Sequence, residues 1–190
     1  MDDSVLAAIA KWPNVPAVFG WLALTARGEW RIKGQTIANA AIREFIGRNY
    51  AADERGRWFF QNGPQRVYVE LEVTPWVYRL DADGALRAHT GARPRALLAC
   101  GVLDEGSFVL QTDLGAGIVD DRDTAAFVRV VADAHGVALD DHALQRWLSG
   151  DVAAFASPAL LRVAGALRPF ERLRAAALAQ RFGFVRAPEA

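Results

Sequence analysis

The sequence predicts an α+β fold in which an antiparallel β-meander with one helix insert comes first, further strands follow, and a helical tail comes last. Three observations support this order. Alternating apolar and polar residues, typical of half-buried strands, recur through the first half, glycine-containing turns separate them, and helical spacing dominates from Asp123 onward. The composition, 52% hydrophobic and 23% charged over 190 residues, is that of a globular protein with a sizeable core.

The first segment predicts a short helix followed by a buried strand. Asp3 or Ser4 can cap a helix over 5–10, which Pro13 must end because proline has no amide hydrogen to donate. Residues 18–24 are bulky and continuously apolar, which favours a strand buried on both faces.

An Arg-Gly-x-Trp motif occurs twice, at Arg27–Trp30 and Arg55–Trp58, and each copy leads into a strand. Two copies are too few and too close for a repeat array, so we interpret the motif as scaffold, with glycine making the turn and tryptophan packing behind it. Only the second copy, which leads into the hairpin from Gln61 to Arg66, stays a candidate for function. Between the copies, apolar residues at helical spacing predict a helix capped by Thr36 or Asn39. These apolar residues are Ile37, Ala41, Ile42, Phe45 and Ile46.

The strongest hairpin signal is Asn62-Gly63, because both residues tolerate a positive φ. It lies between a strand over 57–61 and a cleanly alternating strand over 66–73. Segments 76–80 and 85–89 predict a second hairpin, and the four strands together predict the β-meander.

The sequence predicts a domain boundary near Gly91–Pro94. The first part is then residues 1–91, with the paired Arg-Gly-x-Trp hairpins, and the second part is residues 92–190. The alternative is that both parts form one compact unit. The elements predicted for the second part are strands over 96–103 and 107–112, then helices over 124–134, 141–148 and 160–182, the last interrupted at Pro169.

The charge balance and the cysteine count exclude several classes of protein. The net charge is +0, from 22 basic and 22 acidic residues, which disfavours non-specific binding to nucleic acid. Cys100 is the only cysteine, so an internal disulfide is impossible and a structural zinc site is not expected. Met1–Ser4 opens with acid, and the apolar stretch 17–24 is far short of the roughly 20 residues that span a bilayer, so we predict a cytoplasmic protein without membrane contact. Abundant Arg and Ala with very little Lys suggest a bacterial source.

No known catalytic motif is present, and we predict no cofactor and no metal. Leu114–Gly117 contains Gly-x-Gly, but Asp120 stands where a dinucleotide-binding loop needs a third glycine. The acids Asp113, Asp120, Asp121 and Asp123 are compatible with a divalent cation, but those that precede a helix are better explained as caps. An uncatalogued enzyme stays open as an alternative, and it would need His89 or these acids to converge in one cleft.

The candidate ligand site surrounds the hairpin from Trp58 to Arg66, where aromatic rings, amides and an arginine are concentrated. Rings supply stacking surface, amides recognise polar edges, and arginine offers a planar fork for carboxylate or phosphate. The predicted ligand-binding residues are Arg48, Asn49, Tyr50, Trp58, Phe60, Gln61, Asn62, Gln65 and Arg66. The alternative interpretation, which the sequence favours equally, is that Trp58 and Phe60 are core residues and that the amides serve only the turn.

Several short segments resemble a bacterial family of domains of unknown function, the family numbered one-two-eight-five, or a sister of it. The matching segments are Gly28–Trp30 with Gly34, Ile37 and Phe45, the turn Asp53–Gly56, Val67–Glu70, Thr74–Val77 and Thr112–Gly115, which cover residues 27 to 117. Gln65-Arg66 departs from that family's Glu-Lys pair, and Glu72–Pro75 departs from its Glu-Asp-x-Pro. The helical tail after Asp123 has no counterpart there, which favours a sister family.

The resemblance implies a two-part α+β fold with structural duplication and a C-terminal part loosely like a pleckstrin-homology domain. It also implies a ligand pocket between the two parts and a role in signalling. Our leading hypothesis is therefore a non-catalytic ligand-sensing or regulatory module that binds a small, nucleotide-like ligand. The alternatives are a protein-interaction or homodimerisation module that uses the helical tail, and the uncatalogued enzyme.

Overall fold

The structure, a computed structural model, describes residues 1–133, 135–149, 160–163 and 165–190. The chain divides into two compact units. The first unit contains Met1–Pro75, His89–Gly91 and Leu178–Ala190. The second unit contains Trp76–Ala88 and Ala92–Ala177.

The first unit is a mixed sheet with two helices before Pro75, and a later segment of the chain adds a third helix to it. Its elements are α1 (Asp3–Lys11), β1 (Val18–Leu24), β2 (Trp30–Ile32), β3 (Gln35–Thr36), α2 (Ala40–Arg48), β4 (Tyr50–Ala52), β5 (Trp58–Asn62) and β6 (Gln65–Leu71). The strand order is β3-β2-β1-β6-β5-β4, and the central pair β1–β6 is parallel while the flanking pairs are antiparallel.

Both helices form where the sequence predicts them, but the predicted cap of α1 is wrong, because Asp2 and not Asp3 or Ser4 stands at its N-cap and makes no capping hydrogen bond with its side chain. The Asn39 side chain caps α2 by accepting hydrogen bonds from the N–H groups of Ala41 and Ile42, at 2.9 and 3.2 Å. The strand β1 differs from its prediction, because Trp21 is 51% exposed. Gly20 has a φ of +71, and the β1–β6 register shifts between Val18 and Leu22, so this irregularity breaks the alternation of faces.

The two Arg-Gly-x-Trp motifs form equivalent turns, as predicted. Gly28 N–H donates to the carbonyl of Thr25, and Gly56 N–H donates to that of Asp53, both at 3.0 Å. Both glycines lie in the left-handed region, at φ values of +77 and +73. Trp30, which follows the first turn, is 2% exposed and packs in the core.

The second unit is a larger mixed sheet. Its elements are β7 (Trp76–Leu80), β8 (Leu86–Ala88), β9 (Leu97–Leu103), β10 (Phe108–Thr112), β11 (Ala116–Val119), α3 (Thr124–Val128), β12 (Val131–Ala132), α4 (Asp141–Leu148), β13 (Leu160–Val163) and β14 (Ala166–Leu173). The strand order is β12-β13-β14-β9-β10-β11-β7-β8, with β11–β7 and β14–β9 parallel. The α+β class is confirmed, but the sheets are mixed and not simply antiparallel.

The predicted β-meander is wrong, because its two hairpins belong to different sheets. β6 pairs with β5 and β1, whereas β7 pairs with β8 and β11. The free edge of β6 is taken in parallel by β1, a strand more than 40 residues away in the chain, and hairpin signals do not report such pairings.

The helical tail is present only in part. α4 has its predicted bounds, α3 ends at Val128, and Ala134 lies outside the described residues. The helix predicted over 160–182 is wrong up to Leu173, where β13 and β14 form a hairpin; Ala164 also lies outside the described residues. Leu161 and Val163 are buried around exposed Arg162, a period of two that favours a strand.

After β14 the chain returns to the first unit as α5 (Leu178–Phe182) and the segment that follows it. Val185 N–H donates to the carbonyl of Gly56 at 2.9 Å, and Leu71 N–H donates to that of Arg186 at 2.8 Å. Within the described ranges, every helix is too short or too polar to cross a membrane.

Candidate functional site

The hairpin β5–β6 has a cavity on each of its faces, both in the first unit. Successive side chains of a strand point to opposite faces, so Phe60 and Asn62 lie on one face and Phe59 on the other. The pairing ends at Asn62↔Gln65 and leaves Gly63-Pro64 as the turn.

The face that carries Phe60 borders a cavity of about 360 Å³, here called the apolar cavity. Eight apolar side chains and two amides line it, namely Val18, Trp21, Leu22, Ile32, Ile42, Ile46, Phe60 and Val67, with Asn62 and Gln65. Pockets for small molecules occupy about 300–1,000 Å³ and are mostly apolar with a few polar groups. The apolar cavity meets both criteria.

The mouth of the apolar cavity exposes large apolar side chains. Trp21, Ile32 and Ile42 are 51%, 44% and 45% exposed. The ammonium of Lys33 lies 4.1 Å from the centre of the Trp21 ring, a distance at which the ring attracts a cation. The mouth thus combines apolar surface with one positive charge beside it.

The opposite face of the hairpin borders a second cavity of about 580 Å³, here called the arginine cavity. Its lining residues are Ala52, Asp53, Glu54, Arg55, Arg57, Phe59 and Arg66. The guanidinium of Arg66 lies 4.6 Å from the centre of the Phe59 ring. This cavity is polar where the first is apolar.

Asp53 anchors one wall of the arginine cavity. Its carboxylate accepts a hydrogen bond from Nε of Arg57 at 2.8 Å and another from the hydroxyl of Tyr68 at 3.0 Å. The N–H groups of Arg55 and Arg57 donate to it at 3.0 and 2.9 Å. Burial alone would raise the pKa of Asp53, but these hydrogen bonds outweigh it and lower the pKa below 3.8, so the carboxylate is charged at neutral pH.

The residues predicted to bind a ligand separate into two groups. Those that line a cavity are Phe60, Asn62 and Gln65 at the apolar cavity, and Arg66 at the arginine cavity. Those that line neither of these cavities are Arg48, Asn49, Tyr50, Trp58 and Gln61. Arg48 lies at the surface, where its Nε is 3.3 Å from a carboxylate oxygen of Asp2.

The amides of Asn49 and Gln61 hold the backbone. Asn49 is fully buried; its Oδ1 accepts from the N–H of Asp2 at 2.8 Å, and its Nδ2 donates to the carbonyl of Phe45 at 2.9 Å. Gln61 is 2% exposed and donates to the carbonyl of Gly63 at 2.9 Å. The Asn49 contacts join the start of α1 to α2, and the Gln61 contact holds the hairpin turn.

Tyr50 and Trp58 belong to an aromatic cluster with Trp30 and His89. The Tyr50 ring lies 5.1 Å from that of Trp30 and 4.8 Å from that of Trp58, and its hydroxyl donates to the carbonyl of Pro75 at 3.0 Å. Burial lowers the pKa of His89 to about 3, so this imidazole is neutral at physiological pH. The geometry is that of a packed core.

Five residues that line the cavities were not predicted from the sequence, namely Trp21, Ile32, Ile42, Arg55 and Arg57. The continuous apolar run around Trp21 indicates burial and does not say which side chain faces outward. One signal was available, since a glycine inside a strand, here Gly20, often marks an irregularity that redirects side chains.

The acidic residues of the second unit hold turns and arginines. Asp120 is fully buried and caps the turn at 121–123 by accepting from the N–H of Arg122 at 3.0 Å, which confirms the capping interpretation for this residue. The interpretation is wrong for Asp123, which stands at the N-cap of α3 but makes no capping hydrogen bond with its side chain. Asp123 accepts from Nε of Arg79 at 3.0 Å. Among the described residues, no group of three or more His, Cys, Asp or Glu side chains is placed to hold a metal ion.

The model of one protein family, DUF2944, described as "Protein of unknown function (DUF2946)", matches residues 1–189. No curated protein matches the sequence.

Two solved structures resemble this chain. A DUF1285 family protein from Silicibacter pomeroyi DSS-3 has 13% identity and a TM-score of 0.54, over 89% of this chain and 95% of that one. A DUF1285 family protein from Shewanella baltica OS155 has 16% identity and a TM-score of 0.43, over 56% of this chain and 89% of that one. The first of these shows a shared fold, and the predicted resemblance to a sister of that family is confirmed.

Proposed function

The chain belongs to the DUF2944 family, and we propose that it is a non-catalytic module that binds a small ligand in the apolar cavity. One observation carries the proposal: three large apolar side chains, Trp21, Ile32 and Ile42, are about half exposed around one concave site. Scattered exposed apolar residues are ordinary, but a cluster at the mouth of a cavity marks a binding site.

The lining favours a flat ring system with polar edges, the class to which nucleosides and nucleotide-like molecules belong. Trp21 and Phe60 are the aromatic residues of the lining, and aromatic side chains stack on flat rings. Asn62 and Gln65 offer amides that donate and accept hydrogen bonds at the ring's edge. The ammonium of Lys33, held over Trp21, favours a ligand with a negative or strongly polar end. A sensing or regulatory role follows if ligand binding changes the contacts made by this mouth.

A thermal-shift screen against a metabolite library, with nucleosides and nucleotides included, tests the proposal. A ligand present at about 100 times its dissociation constant stabilises the folded state by about 2.7 kcal/mol. For a chain of this size that corresponds to a rise in melting temperature of roughly 5–11 °C. Hits are then titrated by calorimetry to obtain the dissociation constant.

The variant Ile42→Glu places a carboxylate at the mouth, on an exposed helical position where glutamate suits the helix. We expect it to weaken a true ligand at least tenfold, about 1.4 kcal/mol, because the charge must be desolvated against an apolar body. Leu6→Glu is the matched control, since Leu6 is a helical residue of the same unit, 51% exposed, that does not line the apolar cavity.

Two outcomes would overturn the proposal. The first is a library in which nothing shifts the melting temperature. The second is a hit whose affinity falls equally in Ile42→Glu and Leu6→Glu, because binding would then depend on general surface hydrophobicity.

A further inference from the structure

The arginine cavity lies on the face of β5–β6 opposite the apolar cavity, and the proposed ligand does not account for it. Arginines outnumber carboxylates three to two along its lining. The three guanidinium groups differ in how far their charge is already neutralised, and this difference decides what the cavity can bind.

The guanidinium of Arg57 is already bound by groups of the protein itself. Its Nε donates to Asp53 at 2.8 Å, its Nη2 donates to the hydroxyl of Tyr68 at 3.0 Å, and its guanidinium lies 4.6 Å from the centre of the Tyr68 ring. The Asp53 and Arg57 side chains are 10% and 21% exposed. They form a rigid, neutral wall, since each satisfies the other's charge.

Arg66 is oriented but keeps its charge available. Its guanidinium lies 4.6 Å from the centre of the Phe59 ring, which restrains it without neutralising it. Across residues 1–133, 135–149, 160–163 and 165–190, neither Arg66 nor Arg55 forms an ion pair. The cavity thus presents two uncompensated guanidinium groups, one of them held by an aromatic ring.

We propose that the arginine cavity binds a small oxyanion of the phosphate class, free or as a monoester, between Arg55 and Arg66. A guanidinium offers parallel N–H donors that match two oxygens of a phosphate. The Phe59 ring reduces the side-chain freedom that Arg66 loses on binding. Glu54, on the same lining, opposes the anion and limits its affinity. This site is separate from the apolar cavity and goes beyond the ligand proposed there.

Calorimetric titration with inorganic phosphate and with phenyl phosphate, at constant ionic strength set by sodium chloride, tests the proposal. We expect both probes to bind the intact chain. Equal affinities identify the free anion as sufficient, and tighter binding of phenyl phosphate identifies a monoester. Arg55→Gln and Arg66→Gln are each expected to weaken binding about tenfold or more, because each removes a charged hydrogen-bonding pair.

Three further variants separate this site from general surface charge. Arg66→Lys keeps the charge but loses the planar fork, and we expect it to lose most of the affinity that Arg66→Gln loses. Lys11→Gln removes an exposed cation of the same unit outside the cavity, and we expect no change. Glu54→Gln removes the opposing carboxylate and should tighten binding several-fold, a gain that misfolding cannot produce.

The proposal is overturned if neither probe binds the intact chain, if the double variant of Arg55 and Arg66 binds phosphate as the intact chain does, or if Lys11→Gln weakens binding as much as Arg66→Gln. Retention of full affinity by Arg66→Lys would also overturn it, because a diffuse positive field would then be sufficient.

Discussion

Replacing Asn49 with alanine is expected to destabilise the first unit by about 3 kcal/mol. The fully buried amide makes three hydrogen bonds: one from the N–H of Asp2 at 2.8 Å, one to the carbonyl of Phe45 at 2.9 Å and one to the Asp2 carboxylate at 3.2 Å. Each contributes about 1 kcal/mol net, and alanine leaves their partners with nothing to replace the amide. The corresponding fall in melting temperature is roughly 6–12 °C.

Urea denaturation of the intact chain measures this change, with Asn62→Ala as the control. Asn62 is an exposed amide on the neighbouring hairpin and lines the apolar cavity, so its removal should leave stability within about 0.5 kcal/mol of the unaltered chain. The reasoning is refuted if Asn49→Ala unfolds at the same urea concentration as the unaltered chain.

Three other changes follow from local geometry. Gly56→Ala should lower the free energy of unfolding by more than about 2 kcal/mol, because φ is +73 and the added Cβ would lie 2.2 Å from the carbonyl oxygen of Gly183. Gly84→Ala is the control in the same urea denaturation assay. Its φ is +79 but no atom lies within 4 Å of the added Cβ, so it should lower the free energy by only about 1–2 kcal/mol. Burial raises the pKa of the Cys100 thiol to about 12, so at pH 8 a thiol reagent should label the native chain at least about 100-fold more slowly than the unfolded chain. Because the pKa of Asp53 is lowered in the folded state, its carboxylate contributes stability that is present above the unfolded pKa of 3.8 and is lost as the pH falls through the folded pKa. The difference in unfolding free energy between the unaltered chain and Asp53→Asn should therefore shrink from pH 5 to pH 2. A difference that stays constant over this range would contradict the prediction.

Local chemistry made much of the fold predictable. The cap at Asn39, the bounds of α4 and the hairpin β5–β6 each depend on residues within a few positions of one another. The parallel pairing of β1 with β6 was not predictable, because it joins distant segments through backbone groups that every residue possesses. The basic stretch after residue 160 was also misassigned, since Ala and Leu favour a helix locally while β9 offers an edge that a strand can complete.

The sequence predicted which hairpin borders the candidate site, but not which of its side chains line the cavities. Hairpin composition drew attention to Phe60, Asn62, Gln65 and Arg66, which border cavities. The same composition gave no sign that Gln61 would turn back to its own loop, because side-chain amides serve turns and ligands with the same atoms. Which of the two roles an amide has depends on the face of the hairpin on which it lies. That face can be assigned only when the register of the strands is known.

The return of residues 178–190 to the first unit has a consequence for how the protein is made. A ribosome releases the chain from its N-terminus, so β1 to β6 emerge long before the segment that bonds to Gly56 and Leu71. The second unit comprises Trp76–Ala88 and Ala92–Ala177, two adjacent stretches of the chain, so it can fold while synthesis proceeds. Residues 178–190 reach the first unit only after the second unit has been synthesised, so until then Gly56 and Leu71 lack the backbone hydrogen bonds that this segment supplies.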